Sequence, residues 1–445
     1  MYKKLLYVFL VIFFLLQIYV VSLQGLPSWD EVVYLSNAKS YIGEVHFQED
    51  FRFPLISLII AGFWLFTGES VLIAKLLVIF ISTANMLVFY HVSKHFLKKD
   101  NLALLSTVTL ALTAQYLFWA TKIYTDILTI FLALLTLLLL IKNTDPKYIL
   151  LAGFLAGLSF SARFSTLITL AIIGAFFLLN KNYLKNVSSF GAGFFVALLP
   201  WFISGLKNHA NPLYFVISQH KVLQTYTQFE SPMILLQNLF LEYNLALFIL
   251  ILFFFSNLQK KNNYELLLIS IILVNLLYFA FFVNLKLPRY LLAISPFIII
   301  ALYLQVKAMS KSKLQRNALI TFILISVLLT AIPQFNEMHK QTICTSTGAV
   351  KESITYLEDI TQPGQTIISS IWVYYGYYLN LEAYSFWTNN ISELVLSHEP
   401  DYFALSTRAG ALIDEELTDT HHIELLTRFE DNCGYDVTLY KRVRN

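Results

Sequence analysis

The 445 residues carry 57% hydrophobic side chains, 13% charged ones and a net charge of +3, against roughly 45–50% apolar and about 25% charged in soluble proteins. So little charge cannot cover a water-facing surface, and apolar runs close to the ~20 residues that cross a bilayer recur from Leu5 to Pro333. A soluble globular protein is excluded, and because the cations sit in short loops instead of one patch interleaved with aromatics, nucleic-acid binding is not implied either.

Lys3 and Lys4 precede the first apolar run, 5–23, as in a secretory signal, but the run is long and lacks a small-x-small cleavage site; it reads as a retained signal anchor. Further spans are expected near 71–92, 102–118, 127–142, 149–162, 165–180, 188–206, 234–256, 266–284, 290–306 and 317–333, making roughly eleven in all. Alternate loops hold Lys94, Lys98 and Lys99; Lys142 and Lys147; Lys181 and Lys185; Lys260 and Lys261; and Lys307, Lys311, Lys313 and Arg316. The positive-inside rule makes these loops cytoplasmic, so an odd number of spans puts residues 334–445 outside.

The first exoplasmic loop, 24–70, contains two helix-like pieces, one starting at Asp30 and one at Pro54, where proline suits a first helical turn. The second is apolar but too short to span and is expected at the membrane surface. In the tail, Ile354 to Ile360 reads as a helix, Pro363-Gly364 as a turn, Thr366 to Ile371 as a buried strand and Val437 to Tyr440 as a closing strand. The expectation is a mainly α, polytopic transmembrane bundle, residues 1–333, followed by a small exoplasmic α/β domain, residues 334–445. Cys344 and Cys433 lack the spacing of a metal site; an oxidising exterior would allow them to pair, and the sequence does not decide whether they do. Asn390-Ile391-Ser392 fits a glycosylation acceptor, a triplet that also arises by chance.

Several outer-loop residues could carry chemistry. Trp29-Asp30-Glu31 puts two adjacent carboxylates directly after the first span, where a lowered dielectric raises basicity. On a helix, Asp30, Tyr34, Asn37 and Tyr41 share one face, the mixture of acid, amide and aromatic that a sugar site wants. The same acids also suit a helix cap and the positive end of the helix dipole. Asp126 precedes the fourth span, as a second outer acid or as a cap. Lys286-Leu287-Pro288-Arg289-Tyr290 offers two cations and a phenol at phosphate-headgroup depth; arginine grips phosphate oxygens with paired donors, while interfacial anchoring is the simpler role for Arg289 and Tyr290. Arg163, at the outer end of the fifth span, would either meet an anionic headgroup or close its helix end. His220, near Gln219, Lys221 and Glu230, is a lone loop histidine and a weak metal candidate.

Taken in order, these segments resemble the GT-C superfamily of membrane glycosyltransferases, in particular the branch of protein O-mannosyltransferases and the lipid A aminoarabinose transferase. Asp30-Glu31-x-x-Tyr34-x-x-x-Ala38 resembles the first-loop acidic motif, and Arg52-Phe53-Pro54-Leu55 the Arg-Pro-Pro-Leu signature, with Phe53 replacing a proline. Gly68-Glu69-Ser70 leads into the second span, and Asp126 matches the second acidic position. Leu199-Pro200-Trp201-Phe202 with Asn211-Pro212-Leu213-Tyr214 is similar to the Pro-Trp…Gly-Asn-Pro-x-Tyr segment, although alanine stands at 210. Pro288-Arg289-Tyr290-Leu291-Leu292 followed by Pro296 resembles the late Arg-Tyr-Leu motif. The resemblance covers roughly residues 1–333.

What it implies is inverting transfer of one sugar from a polyprenyl-phosphate carrier to a protein, lipid or glycan acceptor on the exoplasmic face of a plasma or endoplasmic reticulum membrane. Asp30 would be the general base, with Glu31 and Asp126 orienting the acceptor, the base or a divalent metal ion. Arg289, Lys286, Tyr290 and Arg163 would meet the donor phosphate, and Tyr34, Arg52 and Pro54 the acceptor or sugar. No equivalent of a metal-binding glutamate–histidine pair is assigned; Glu31 and His220 are the weak candidates. The rival reading is a transporter or flippase of lipid-linked sugars, whose charges would sit at mid-membrane depth in broken helices. A third, a tail-borne receptor function, leaves the outer-loop acids unexplained.

Overall fold

A computed structural model describes the chain except residues 44–48, 50–51, 179–182, 226–228, 256–261, 347, 363, 386–396, 407–421, 432–433 and 444–445. It divides into two compact units. The first comprises Met1–Val21, Phe51–Ile56 and Lys75–Asn336, and the second Ser22–Asp50, Ser57–Ala74 and Glu337–Asn445. Most of the long first loop therefore groups with the tail, not with the helices it was expected to accompany.

In chain order the helices are α1 (Tyr2–Ser22), α2 (Trp29–Tyr41), α3 (Leu55–Thr67), α4 (Val71–Leu97), α5 (Asp100–Leu112), α6 (Ala114–Trp119), α7 (Thr125–Lys142) and α8 (Pro146–Ala162). There follow α9 (Leu167–Leu178), α10 (Tyr183–His209), α11 (Tyr214–Thr225), α12 (Pro232–Phe255), α13 (Asn263–Phe281), α14 (Ser295–Met309) and α15 (Lys313–Ser346). The tail adds α16 (Ala349–Ile360), β1 (Thr366–Ser369), α17 (Trp372–Tyr378), β2 (Glu382–Ser385), β3 (Tyr402–Leu405), β4 (Ile423–Glu430) and β5 (Asp436–Arg442). The expectation of a mostly helical chain with a small C-terminal sheet is met.

The first unit has a mainly apolar core and, unlike a soluble protein, an apolar exterior as well. Val8, Val11, Ile12 and Leu15 of α1 and Phe195, Val196, Leu199 and Ile203 of α10 are exposed, while Ser106, Thr107, Thr109, Thr136 and Ser159 are buried. The buried hydroxyls donate to backbone carbonyls, as Thr107 does to Ala103 at 2.8 Å and Ser159 to Thr129 at 3.1 Å. An apolar exterior, with the polar groups buried inside it satisfied internally, is what a bilayer solvent selects. Small residues then allow backbones to approach: a Cβ on Gly153 would lie 2.0 Å from the Phe190 carbonyl oxygen, and one on Gly193 2.0 Å from that of Leu150. Helices α8 and α10 thus meet through a Gly153-x-x-x-Gly157 face.

Among the described residues, six helices are long and apolar enough to cross a membrane: α1, α4, α7, α10, α13 and α15. Five further apolar helices are 10–17 residues long. The difference from the roughly eleven full spans expected has local causes. The run at 102–118 is cut at Thr113, whose ψ of 141° is extended. Helix α12 breaks at Asn244, with φ 50° and ψ 172°. The run from 290 opens as a 3-10 helix, Pro288–Ala293, before α14 starts at Ser295-Pro296, where the proline's missing N–H costs nothing.

In the second unit the sheet order is β2-β1-β3-β5-β4. β1 pairs parallel with β2 and β3, while β5 runs antiparallel to β3 and β4. Adjacent parallel strands require a crossover, which α17 supplies between β1 and β2. Helix α16 buries Ala349, Val350, Ser353, Ile354 and Leu357 at helical spacing. Cys433 and Asn390-Ile391-Ser392 lie outside the described residues, and with them the pairing of Cys344 and the glycosylation triplet.

Candidate functional site

In the first unit, Asp126 occupies the first turn of α7 and is 6% exposed. Arg163, in extended backbone at the end of α8, pairs with its Oδ1 across the closely packed α7 and α8. The other oxygen, Oδ2, is buried with no hydrogen-bond partner among the described residues. Arg163 also lies over the Tyr290 ring, 5.3 Å from its centroid, and that ring stacks on Phe279 at 5.0 Å and 4°. These side chains line a cleft of ≈ 410 Å³, open mouth included, together with Thr129, Thr166 and Arg289.

Arg289 and Tyr290 face this cleft because the 3-10 helix that carries them is short and tightly wound. The Arg289 guanidinium lies 5.7 Å from the Trp119 ring centroid and 5.3 Å from that of Tyr124. Stacking of this kind holds the planar cation without neutralising it. Trp119 in turn is fixed by its indole N–H, which donates to the Gln115 side-chain oxygen at 2.9 Å.

Lys286, read as a partner of Arg289, is placed differently. It is 2% exposed, its ammonium donates to the Val283 carbonyl and lies 4.1 Å from the Phe229 ring centroid, and its backbone N–H donates to Glu230. Burial holds its pKa below the ordinary lysine value. It does not line the cleft that Arg289 and Tyr290 share. Arg52 is half-buried and Pro54 buried immediately before α3. Phe53, the departure from the proline pattern, packs edge-on against Phe160 at 5.9 Å.

In the second unit, Asp30 is half-buried in the first turn of α2, and Glu31 is fully buried. Ser28, and not Asp30, is the N-cap. Its N–H and hydroxyl both donate to Glu31 Oε2 at 2.9 Å, so the Glu31 carboxylate closes a capping box. Tyr34 is buried, its carbonyl accepting from Ser57 at 2.8 Å, and Asn37 exchanges two 2.9 Å hydrogen bonds with the Glu49 backbone.

Sequence reasoning missed the contribution of α17. Trp372 and Tyr374 meet Trp29 edge to face at 5.8 and 6.2 Å, and the Tyr374 hydroxyl donates to the Pro27 carbonyl at 3.2 Å. Lys39 pairs with Glu69 at 3.2 Å and lies over Tyr377 at 5.3 Å. Burial, with the Glu69 and Glu31 carboxylates adding to it, pushes the Tyr377 and Tyr378 phenols above their ordinary value. The dense aromatic run 372–378 was the available signal. Also missed were buried cations of the first unit, Lys75 and Lys122, of which Lys75 donates to the Thr121 carbonyl at 3.2 Å.

The His220 side chain lies outside the described residues. Among the described residues there is no group of three His, Cys, Asp or Glu side chains able to hold a metal ion, so no ligand set is assigned and no step is routed through a metal.

The sequence matches no protein-family model and no curated protein. At the level of structure the likeness is extensive. ArnT from Cupriavidus metallidurans bound to undecaprenyl phosphate superposes with a TM-score of 0.70 at 11% identity, over 98% of each chain. An Archaeoglobus fulgidus oligosaccharyltransferase in complex with zinc and sulfate gives 0.59 at 13%, over 96% of this chain and 72% of that one. The mycobacterial arabinofuranosyltransferase AftD gives 0.59 at 12%, over 98% and 42%. All three are GT-C glycosyltransferases, and the chain has their fold.

Proposed function

We propose that this chain transfers a sugar from a polyprenyl-phosphate carrier to an acceptor on the exoplasmic side of a membrane, with inversion at the anomeric carbon. The observation that carries this reading is the cleft lined by Asp126, Arg163, Arg289 and Tyr290, in a fold shared with a transferase bound to undecaprenyl phosphate. Asp126 compensates Arg163, and Arg289, which lies over the Trp119 and Tyr124 rings and lines the same cleft, is the cation that meets the phosphate.

In the reaction the acceptor oxygen bonds to the anomeric carbon as the bond from that carbon to the phosphate oxygen breaks. The acceptor's proton passes to the Asp30 carboxylate, and the negative charge that grows on the departing phosphate is neutralised by Arg289. Asp126 orients Arg163 and the sugar end of the donor. Helices of the first unit hold the carrier tail, and the first loop with the tail domain serves the acceptor. Supplying the purified protein with a panel of polyprenyl-phosphate sugars and candidate acceptors tests this. One donor should lose its sugar; if none does and a carrier crosses liposomes intact, the protein is a transporter. A feature a transporter would share is Glu242, two residues before the α12 break, but its carboxylate is tied to Gln115 at 3.3 Å.

A further inference from the structure

Glu242 is a charge within an apolar run, is 1% exposed, and has no part in the proposed reaction. A carboxylate at such a depth is retained for a reason. The break at Asn244 frees nearby carbonyls, which find side-chain donors: Thr330 bonds the Glu242 carbonyl at 3.1 Å and Gln334 that of Leu241.

Glu242 Oε1 accepts from the Gln115 backbone N–H at 3.3 Å, immediately after the α5/α6 break. The Gln115 side chain accepts from the Trp119 indole one turn later, at 2.9 Å. Trp119 and Tyr124 meet edge to face at 4.8 Å and carry the Arg289 guanidinium. Tyr243 connects to the 3-10 helix that bears Arg289. Its hydroxyl donates to Ser295 at 2.7 Å, and the Ser295 hydroxyl donates to the Leu291 carbonyl at 2.8 Å, inside the 3-10 helix that bears Arg289.

We infer that Glu242 and Tyr243 are positioning residues for Arg289: Glu242 sets the aromatic faces beneath the guanidinium through Gln115 and Trp119, and Tyr243 sets the backbone that delivers it. The inference rests on the proposed role of Arg289 as the cation for the carrier phosphate. One alternative is that a buried polar pair merely stabilises the α12 break, and the two predict different mutant behaviour. A glutamine at 242 keeps an oxygen that can accept from Gln115, whereas a leucine does not. Trp119→Phe keeps a ring but loses the N–H that fixes it.

The test uses the full chain in lipid nanodiscs, with Kd for sugar-free polyprenyl phosphate, donor KM and kcat, and the tryptophan emission assigned to Trp119 by difference from Trp119→Phe. Glu242→Leu and Trp119→Phe should each weaken phosphate binding and raise donor KM about tenfold, the scale of one lost stacking geometry, with kcat falling alongside because the displaced cation also serves the leaving phosphate. Glu242→Gln should restore binding to within about threefold. In an Arg289→Ala background Glu242→Leu should add nothing further, since both act through one group. Effects that add in that background overturn the inference, as does unchanged binding by a folded Glu242→Leu or, should that variant not fold, by Trp119→Phe. If the wild-type chain binds no polyprenyl phosphate, the donor reading fails instead. The emission then decides the positioning: Glu242→Leu shifting it as Arg289→Ala does supports the chain of contacts, and no shift ends it.

Discussion

Removing Arg163 should cost more stability than its position at a helix end suggests. Its partner Asp126 is 6% exposed and Arg163 itself 19%, and Asp126 Oδ2 has no other partner among the described residues. Arg163→Ala therefore leaves a carboxylate in a cleft whose walls are largely apolar. Breaking a buried pair from one side costs about 3–5 kcal/mol. The part of Arg163 that reaches solvent lets water approach the orphaned acid, which favours the lower end, about 3 kcal/mol or roughly a hundredfold in the unfolding equilibrium. Asp126→Asn should cost less, because the orphaned guanidinium can turn toward water. The double variant Asp126→Asn/Arg163→Ala should recover part of the loss by removing both charges. Denaturant titration of the four proteins in one detergent gives the coupling directly. An Arg163→Ala protein that unfolds at the wild-type midpoint, or a double variant no more stable than the single, would refute the reasoning.

Asp30→Asn should lower transfer by about a hundredfold or more, the usual worth of a positioned base, without moving the unfolding midpoint. Arg289→Ala should raise donor KM by about ten- to a hundredfold for the loss of a charge-assisted contact and lower kcat too, because the same cation neutralises charge growing on the leaving phosphate; steady-state kinetics with varied donor would report both. Gly193→Leu should cost about 1–3 kcal/mol, because even its Cβ would sit 2.0 Å from the Leu150 carbonyl oxygen; a lowered thermal midpoint is the readout. The Tyr374, Tyr377 and Tyr378 phenols of the tail have pKa values raised above 10.0 by burial. Their folded form keeps protons that the unfolded chain releases from about pH 10 upward, so their stabilisation is complete below that pH and lost above it. Near-ultraviolet circular dichroism should show alkaline loss of tail structure, delayed in Tyr377→Phe.

The sequence carried the elements well where one physical signal dominated. Helix α2 begins one residue before the expected Asp30, because a carboxylate pair at a dipole end is a strong start signal, and β5 contains the expected closing strand. Hydropathy alone could not show where apolar runs break. Thr113 and Asn244 are single polar residues whose effect depends on backbone partners elsewhere in the helices, so the runs at 102–118 and 234–256 read as unbroken. Among the site candidates, the pairing of Asp126 with Arg163 was invisible because the two are far apart in sequence and each has a plausible local role. Lys286 illustrates the converse: spacing placed it beside Arg289, but the turn at 283–287 directs its ammonium to a backbone carbonyl. Glu242 was not singled out within the run 234–256, because a lone carboxylate without a motif around it names no partner.

Depth explains why so many charges converge on one short connection. The segment from Trp119 to Asp126 joins α6 to α7 and receives Lys75 at Thr121, Arg163 at Asp126 and Arg289 at Trp119 and Tyr124, while Glu242 holds Gln115 just before it. Lys122, within it, is 2% exposed and lies 5.3 Å from the Phe118 ring centroid. A loop that only linked two helices could be water-exposed and variable at no cost, whereas each buried charge here must be offset by a partner or a dipole. The groups fix one another's directions, so Arg289 is oriented before any ligand arrives. A cation held in that way does not have to reorganise as charge moves onto a leaving phosphate, which is the property the proposed reaction requires of it. The tail of the carrier, by contrast, needs only an apolar exterior such as α1 and α10 provide, so discrimination among lipid-linked donors should reside in this segment and not in the helices around it.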